Sequence, residues 1–174
     1  MTDRPAYVST LFQPDRHEIS GFTCGVPELD VWLEEHAASA ARARIAQTFV
    51  WVEGDDLRVV GYYTLSAHAV PRGEAPSRIG RGVPDPVPAA LLGKLALDLS
   101  LRGQGLGDIL LADALARLID ASELGPAIRA IVVDAATDDG RALYARFGFV
   151  PVAGREDRMI IRAETVAKAI QRTV

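Results

Sequence analysis

The residues with the clearest chemical potential form a glycine-rich turn, RGQGLG, at residues 102–107. Three glycines in six positions let the backbone approach a ligand closely, because glycine carries no Cβ. An apolar, helix-like segment follows directly, so several backbone N–H groups lie where a helix begins and its dipole favours an anion. Arg102 can add a charge-assisted hydrogen bond. The turn is therefore typical of a phosphate-binding site.

Two common phosphate-binding motifs do not fit this turn. The triphosphate loop GxxxxGK[ST] needs a Lys-Ser or Lys-Thr pair, and none follows here. The dinucleotide motif GxGxxG fails as well, because the glycines run GxGxG and Asp108 comes next. Tight packing between a strand and a helix would explain one or two glycines. Three glycines beside an arginine favour a ligand.

The elements around the turn indicate an α/β or α+β domain. Residues 91–100, LLGKLALDLS, predict a strand buried on both faces, and residues 108–124 place apolar side chains at helical spacing. Residues 127–136 predict a second buried strand, and residues 138–149 a short helix closed by Gly148. The other expected elements are a strand at 7–12, a helix at 26–46, a hairpin at 48–70, a hairpin at 149–162 and a helix at 164–174.

A long loop is expected at residues 71–88, which carry five prolines and three glycines. A loop of this length in a compact domain is usually functional or mobile, so we expect it to face the active site or a partner. Arg72, Arg78 and Arg81 stand there against Glu74, which makes the segment locally basic. A solvated loop with scattered arginines explains these charges equally well.

Composition places the chain among ordinary globular proteins, with 49% hydrophobic and 24% charged residues. The net charge of −4 argues against a broad surface that coats nucleic acid. No apolar run approaches the roughly 18 residues of a membrane span, and the N-terminus lacks a signal-peptide core, so we expect a cytoplasmic protein. Cys24 is the only cysteine, which excludes an internal disulfide and a cysteine-rich zinc site. We expect no bound metal.

The turn also matches the pattern R/Q-x-x-G-x-G/A through Arg102, Gly105 and Gly107. Together with Leu-Tyr-x-x-x-Gly-Phe at residues 143–149, it resembles the GNAT family of acyl-CoA-dependent N-acetyltransferases. The resemblance runs from the first strand to the last hairpin and implies one GNAT-like domain over residues 1–174. The implied fold is a mixed, mostly antiparallel sheet, splayed at the cofactor strand and flanked by helices.

The resemblance implies acetyl-CoA as the acetyl donor, held by main-chain groups of one strand and the turn after it. In this family a tyrosine at the position of Tyr144 protonates the departing CoA sulfur, and a phenol with a pKa near 10 carries that proton at neutral pH. The alternative for Tyr144 is an apolar helix residue whose hydroxyl is merely satisfied. The implied cofactor-binding residues are Leu95, Ala96, Leu97, Leu99, Arg102, Gly103, Gln104, Gly105, Leu106, Gly107 and Asp108.

A narrower resemblance is to the GNAT toxins of type II toxin–antitoxin pairs. It is carried by CGVPELDVWL at residues 24–33, the hairpin at 48–70, the proline-rich loop, LLGKLALD and LYARFGF. Those enzymes acetylate the α-amine of aminoacyl-tRNA and are neutralised by a ribbon-helix-helix antitoxin, and the resemblance also implies a homodimer. The candidate tRNA contacts are Arg42, Arg44, Arg72, Arg78 and Arg81.

The acceptor is less clearly indicated than the donor. Between residues 28 and 44, four acidic residues stand against two arginines, fewer cations than the related toxins carry. No general base is set apart by a motif, but an α-amine with a pKa of about 7.7–8.0 is substantially unprotonated near neutral pH. Two alternatives stay open: a GNAT enzyme that acts on a small-molecule or peptide amine, and a CoA-binding regulatory module without turnover.

Overall fold

The computed structural model describes residues 7–55 and 57–173, whose strands form one sheet. The strands are β1 (Thr10–Leu11), β2 (Gln47–Glu53), β3 (Arg58–Val70), β4 (Val87–Leu97), β5 (Ala130–Asp134), β6 (Val150–Val152) and β7 (Arg155–Arg162). The helices are α1 (Pro27–Glu35), α2 (Ala37–Arg42), α3 (Ser77–Gly80), α4 (Leu106–Leu124), α5 (Asp138–Arg146) and α6 (Ala163–Thr173). None of the described helices is both long and apolar enough to cross a membrane.

The seven strands lie in the order β1-β2-β3-β4-β5-β7-β6. β4 and β5 run parallel, joined by α4 as the crossover, and every other described pair is antiparallel. The expected mixed, mostly antiparallel sheet is confirmed. The hairpin of β2 and β3 and the final hairpin of β6 and β7 also form as predicted.

The sheet is splayed between β4 and β5, as expected. β4 pairs with β5 only from Ala89 to Leu92, although β4 continues to Leu97. The register against β3 shifts at the same point: Leu65 lies opposite Leu92, and Thr64 lies opposite Lys94. Gly93 is thus the extra residue of a β-bulge, and a bulge bends its strand. The last residues of β4 therefore diverge from β5 and leave a gap between the two strands.

Apolar side chains cover both faces of the sheet. The larger core lies beneath α4 and α6 and includes Leu92 and Val133. On the opposite face, one cluster around Tyr62 packs beneath α1 and α2. A second cluster on that face surrounds Ile79 of α3. Side chains alternate along each strand, so one strand supplies apolar side chains to both faces of the sheet.

The helix expected at residues 26–46 is wrong as one element. His36 leaves the helical conformation, with φ −120° and ψ −24°, and separates α1 from α2. The break lets both Leu33 and Ala37 face the core, with 2% and 0% exposed. After α2, Arg44 takes a left-handed conformation with φ +58°, which ends the helical segment.

The strand expected at residues 91–100 is shifted. β4 begins earlier, at Val87, and ends at Leu97, so Leu99 lies in a 3-10 helix rather than in the strand. Asp98 causes this turn, because its carboxylate accepts hydrogen bonds from the backbone N–H and the hydroxyl of Ser100, at 3.0 and 2.7 Å.

The loop expected at residues 71–88 is shorter and more regular than predicted. It contains a 3-10 helix at Arg72–Glu74 and the short helix α3. Ile79 of α3 is 2% exposed and packs on the sheet. The Arg129 side chain also donates a hydrogen bond of 3.1 Å to the carbonyl oxygen of Ile79. This segment is therefore fastened to the sheet.

Candidate active site

A cleft of about 520 Å³ opens where β4 and β5 diverge. Residues 93–97 of β4 form one wall, and the glycine turn forms a second. The end of β5 and part of α5, including Tyr144, form a third wall, and the loop at residues 24–26 closes the site. A cavity of this size is typical of a small-molecule site. The fold thus brings together the glycine turn and the tyrosine, which are far apart in sequence.

The cleft reaches both faces of the sheet. Leu95 and Leu97 pack with the core beneath α4, whereas Ala96 belongs to the core beneath α1 and α2. Lys94 shares the face of Ala96, because side chains alternate along a strand. All four residues line the cleft. We call the wall with Leu95, Leu97, the glycine turn and Tyr144 the α4 side, and the wall with Lys94, Ala96 and Asp134 the α1 side.

The glycine turn has the geometry of a phosphate site. Gly103 and Gly105 have φ of +80° and +73°, conformations that favour glycine. A Cβ at either position would meet nothing within 4 Å, so the turn faces open space. Gly105 caps the 19-residue α4 without a side-chain hydrogen bond, and the first N–H groups of a helix have no partner inside the helix. These groups and the helix dipole suit an anion such as a pyrophosphate.

Arg102 lines the cleft but holds a protein partner. Its Nη2 donates a hydrogen bond of 3.0 Å to the carbonyl oxygen of Cys24. A Cβ on Gly25 would lie 3.2 Å from the same nitrogen, so the guanidinium packs tightly against that loop. Arg102 therefore links the loop before α1 to the glycine turn through one nitrogen of its guanidinium.

Three of the predicted cofactor-binding residues lie outside the cleft wall. Leu99 is 41% exposed on its 3-10 helix. The Gln104 side chain reaches back to the carbonyl oxygen of Ser100, at 3.4 Å. Asp108 forms an exposed ion pair with Arg146, at 2.8 Å. The predicted cofactor-binding residues that do line the cleft are Leu95, Ala96, Leu97, Arg102, Gly103, Gly105, Leu106 and Gly107.

Tyr144 lies in α5 and is 3% exposed, with its ring packed against Phe149 at a centroid distance of 5.8 Å. Burial raises the pKa of the Tyr144 phenol, and the negative charge of Asp134 raises it further. The phenol is therefore fully protonated at neutral pH. Because Tyr144 also lines the cleft, it can donate a proton to a group bound there.

Cys24 does not supply a nucleophile. It is 4% exposed, and burial together with Asp30 raises the pKa of its thiol to about 11. A thiol with that pKa is protonated at neutral pH, whereas catalysis by cysteine needs the thiolate. The Cys24 backbone has a structural role instead, since its N–H donates to Asp30 and its carbonyl accepts from Arg102.

Sequence reasoning missed the charged residues of the α1 side. Asp134 lines the cleft at the end of β5 and accepts two hydrogen bonds from Arg158, at 2.7 and 3.0 Å. Arg158 also lies 3.2 Å from Nε2 of His68. Lys94 lines the cleft with its Nζ 4.5 Å from the centroid of the Trp32 ring. A usable signal existed for Asp134, because residues at the carboxyl end of a buried parallel strand often face a ligand.

The five candidate RNA-binding arginines are all exposed and none of them lines the cleft. Arg42 lies at the end of α2 and borders a smaller groove of about 290 Å³. Arg72 donates to the carbonyl oxygen of Val83 at 3.2 Å, within its own loop. α2 and α3 pack on the same face of the sheet as Lys94. These arginines therefore lie outside the cleft, on elements that pack on the same face of the sheet as Lys94.

Residues 11–149 match the family model described as "Acetyltransferase (GNAT) family". The chain belongs to the GNAT acetyltransferases. The tRNA-acetylating toxin of Mycobacterium tuberculosis is 39% identical over 135 residues, which cover 78% of this chain and 80% of that protein.

Two solved structures of AtaT have the same fold as this acetyltransferase. AtaT in complex with acetyl-methionyl-tRNAfMet superposes with a TM-score of 0.85 at 25% identity, covering 95% of this chain and 99% of AtaT. The AtaT toxin bound to the C-terminus of the antitoxin AtaR gives 0.80 at 25% identity, covering 94% and 98%. That AtaT carries a tyrosine-to-phenylalanine substitution.

Members of the GNAT family use acetyl-CoA as the acetyl donor. The cleft of this acetyltransferase fits that molecule, since a cradle of free N–H groups faces open space at Gly103 and Gly105. Beside the cradle, the unpaired end of β4 offers main-chain groups along residues 95–97. Acetyl-CoA would supply the acetyl group, which its thioester activates for transfer.

Proposed function

We propose that this acetyltransferase is a toxin that acetylates the α-amine of the amino acid on charged tRNA and thereby blocks translation. The observation that carries the proposal is the similarity to the tRNA-acetylating toxin of M. tuberculosis over most of both chains. The fold shared with AtaT in its tRNA complex supports it. The cleft is also lined by side chains from both faces of the sheet, which suits a reaction between a donor and a large acceptor.

We assign the α4 side of the cleft to the donor. The N–H groups of the glycine turn and of the first turn of α4 hold the pyrophosphate. A backbone N–H near Leu95–Leu97 polarises the acetyl carbonyl, where negative charge grows as the amine attacks. The amine nitrogen forms a bond to the acetyl carbon, the bond from carbon to sulfur breaks, and the Tyr144 phenol gives its proton to the sulfur.

The attacking α-amine needs little help from the protein to lose its proton. Its pKa of about 7.7–8.0 leaves a substantial fraction neutral near pH 7.5, whereas a lysine amine with a pKa of about 10.4 would be almost fully charged. A chain of water molecules then accepts the proton released during the attack. An α-amine therefore suits a cleft in which motifs single out no general base.

We assign the acceptor to the α1 side and its surroundings. The exposed arginines Arg42, Arg44, Arg72, Arg78 and Arg81 bind tRNA phosphates around the entrance. This binding depends on salt, because each contact releases counterions from the RNA. Charged tRNA is a cytoplasmic molecule, so the proposal assigns the enzyme to the cytoplasm.

We further propose that a ribbon-helix-helix antitoxin neutralises the enzyme and that the enzyme acts as a homodimer. The AtaT complex with the C-terminus of its antitoxin supports an antitoxin partner. The ribbon-helix-helix class and the dimer rest on the resemblance to the toxin group. A second copy would enlarge the basic surface around the α1 side.

The proposal is tested by expressing the enzyme and by adding it to a cell-free translation reaction with acetyl-CoA. We expect growth arrest and acetylated aminoacyl groups on tRNA, detected by mass spectrometry after nuclease digestion. Unmodified tRNA together with acetylation of a small amine or peptide would overturn the tRNA assignment. Binding of acetyl-CoA without turnover on any amine would favour the regulatory module.

A further inference from the structure

Lys94 is a partly buried cation on the α1 side of the cleft. It lies in the part of β4 that has no pairing with β5, one residue after the Gly93 bulge. The bulge reverses which face the following side chains take, so Lys94 points to the α1 side, together with Ala96. Its ammonium lies 4.5 Å from the centroid of the Trp32 ring, which holds the side chain at the cleft wall.

The charge of Lys94 has no ion-pair partner among residues 7–55 and 57–173. The negative charge of Asp134 acts on Lys94, but no oxygen of Asp134 lies within 4.0 Å of the Lys94 ammonium. Asp134 is instead held by two hydrogen bonds from Arg158. Burial lowers the pKa of Lys94, and the charge of Asp134 offsets this only in part. Partial burial of an unpaired charge is unfavourable, so an anion from a ligand would stabilise it.

The donor's pyrophosphate is not the anion that Lys94 is placed to bind. The cradle for that group is the glycine turn on the α4 side, where Leu95 and Leu97 point. Lys94 points from the same strand to the opposite face. An anion on the α1 side is therefore the one placed to reach its ammonium.

We propose that Lys94 is a substrate-binding residue that contacts the RNA phosphate nearest to the aminoacyl end of the acceptor. This inference deepens the proposed function and rests on it. It assigns the inner anion site to Lys94 and leaves the outer arginines to contact more distant phosphates. The ring of Trp32 supports the lysine stem and keeps the ammonium at the α1 side of the cleft.

The test compares Lys94→Met with the wild-type enzyme on two acceptors, bulk charged tRNA and aminoacyl-adenosine, which carries the same amine without phosphate. Methionine keeps the stem length and the apolar contact with Trp32 while removing the charge. We expect kcat/KM on charged tRNA to fall about tenfold to hundredfold, as for loss of a charge-assisted hydrogen bond. We expect its dependence on log salt to flatten by about one unit. Activity on aminoacyl-adenosine and the Kd of acetyl-CoA should not change.

Two variants serve as controls. Lys94→Arg keeps the charge and should retain most activity on tRNA. Lys168→Met removes the other lysine of the chain, which lies on α6 at the opposite face of the sheet and pairs with Glu164. It should match the wild-type enzyme on both acceptors. Circular dichroism and thermal unfolding check that each variant is folded.

Three results would overturn the inference. A matching loss on both acceptors would place Lys94 at the amine, and a weaker Kd for acetyl-CoA would place it at the donor. Unchanged tRNA kinetics in Lys94→Met would assign it a purely structural contact with Trp32. Each of these results is obtained with a wild-type enzyme that acetylates tRNA. A wild-type enzyme that leaves tRNA unmodified contradicts the proposed function instead.

Discussion

The α4 side and the α1 side of the cleft offer a ligand different kinds of groups. The α4 side presents main-chain N–H groups at two glycines of positive φ and one neutral phenol, Tyr144. The α1 side presents charged side chains, Lys94 and Asp134, with Arg158 behind them. Main-chain groups define one geometry for one ligand, whereas side chains can change from one protein to another without altering the fold. Under the proposed assignment, geometry would select the donor and charge would select the acceptor.

The contrast is tested most strongly at Tyr144. Tyr144→Phe removes the only group on the α4 side assigned to move a proton, and we expect kcat to fall by about 10²–10⁴-fold. The Kd of acetyl-CoA should stay within about twofold, because the ring and its packing on Phe149 remain. Stopped-flow turnover and calorimetric titration measure the two quantities separately.

The tyrosine prediction also has a consequence for pH. The pKa of Tyr144 is raised by burial and by Asp134, so the phenol is still protonated at pH 9. The kcat of the wild-type enzyme should therefore not decline between pH 7 and 9 through loss of this proton. Normal turnover in Tyr144→Phe would remove the acid role and reduce the α4 side to a binding surface.

The glycine turn gives the next largest effect. Gly105→Val places a side chain in the open space of the cradle at φ +73°, and we expect the Kd of acetyl-CoA to rise about tenfold to hundredfold. Gly154→Val is the matched control, because Gly154 has φ +76° with equally open surroundings but lies in the turn between β6 and β7. Both variants carry the same backbone strain. Equal affinity in the two variants would contradict a phosphate site at Gly105.

The α4 side could be predicted from sequence because its determinants are local. The glycine turn and the segment at residues 143–149 each lie in one short stretch, and a strand before and a helix after are enough to place them. Asp98 shows the limit, because its hydrogen bonds to Ser100 end β4 early and move Leu99 out of the expected strand. Such a cap competes with a strand that composition favours.

The α1 side could not be predicted because it depends on register. Lys94 reaches this side only because Gly93 is an extra residue opposite Thr64 and Leu65. Asp134 meets Arg158 across the pairing of β5 with β7, which no short motif encodes. The break at His36 is a further case, since the apolar spacing of α1 continues into α2.

The candidate tRNA-binding arginines should give a smaller effect that depends on salt. We expect Arg78→Gln with Arg81→Gln to lower kcat/KM on charged tRNA roughly tenfold at 0.15 M salt, from two lost contacts of slope about 0.7 each. The Kd of acetyl-CoA should be unchanged. The control pair is Lys168→Gln with Arg172→Gln on α6. If both pairs lower kcat/KM equally, the effect comes from net charge and not from a tRNA surface at α3.

The smallest effect is expected at Asp98, where the two sides are joined. Its carboxylate accepts from the N–H and hydroxyl of Ser100, before the glycine turn, and from the N–H of Thr23, before α1. Burial alone would raise the pKa of Asp98, but these hydrogen bonds outweigh burial and lower it. Asp98→Asn cannot accept from all three donors, and we expect a loss of about 1–2 kcal/mol in unfolding free energy at pH 7.

The effect of pH on this loss has a definite sign. A carboxyl whose folded pKa is lowered contributes stability above its unfolded pKa of about 3.9, and that contribution is lost as pH falls through the folded pKa. The difference between wild type and Asp98→Asn in urea unfolding should therefore be full at pH 7 and smaller at pH 3. Asp120→Asn is the control, because Asp120 is exposed on α4 and its carboxylate has no hydrogen bond or ion pair among residues 7–55 and 57–173. A difference that is constant from pH 7 to pH 3 would show that the Asp98 charge does not join the two sides.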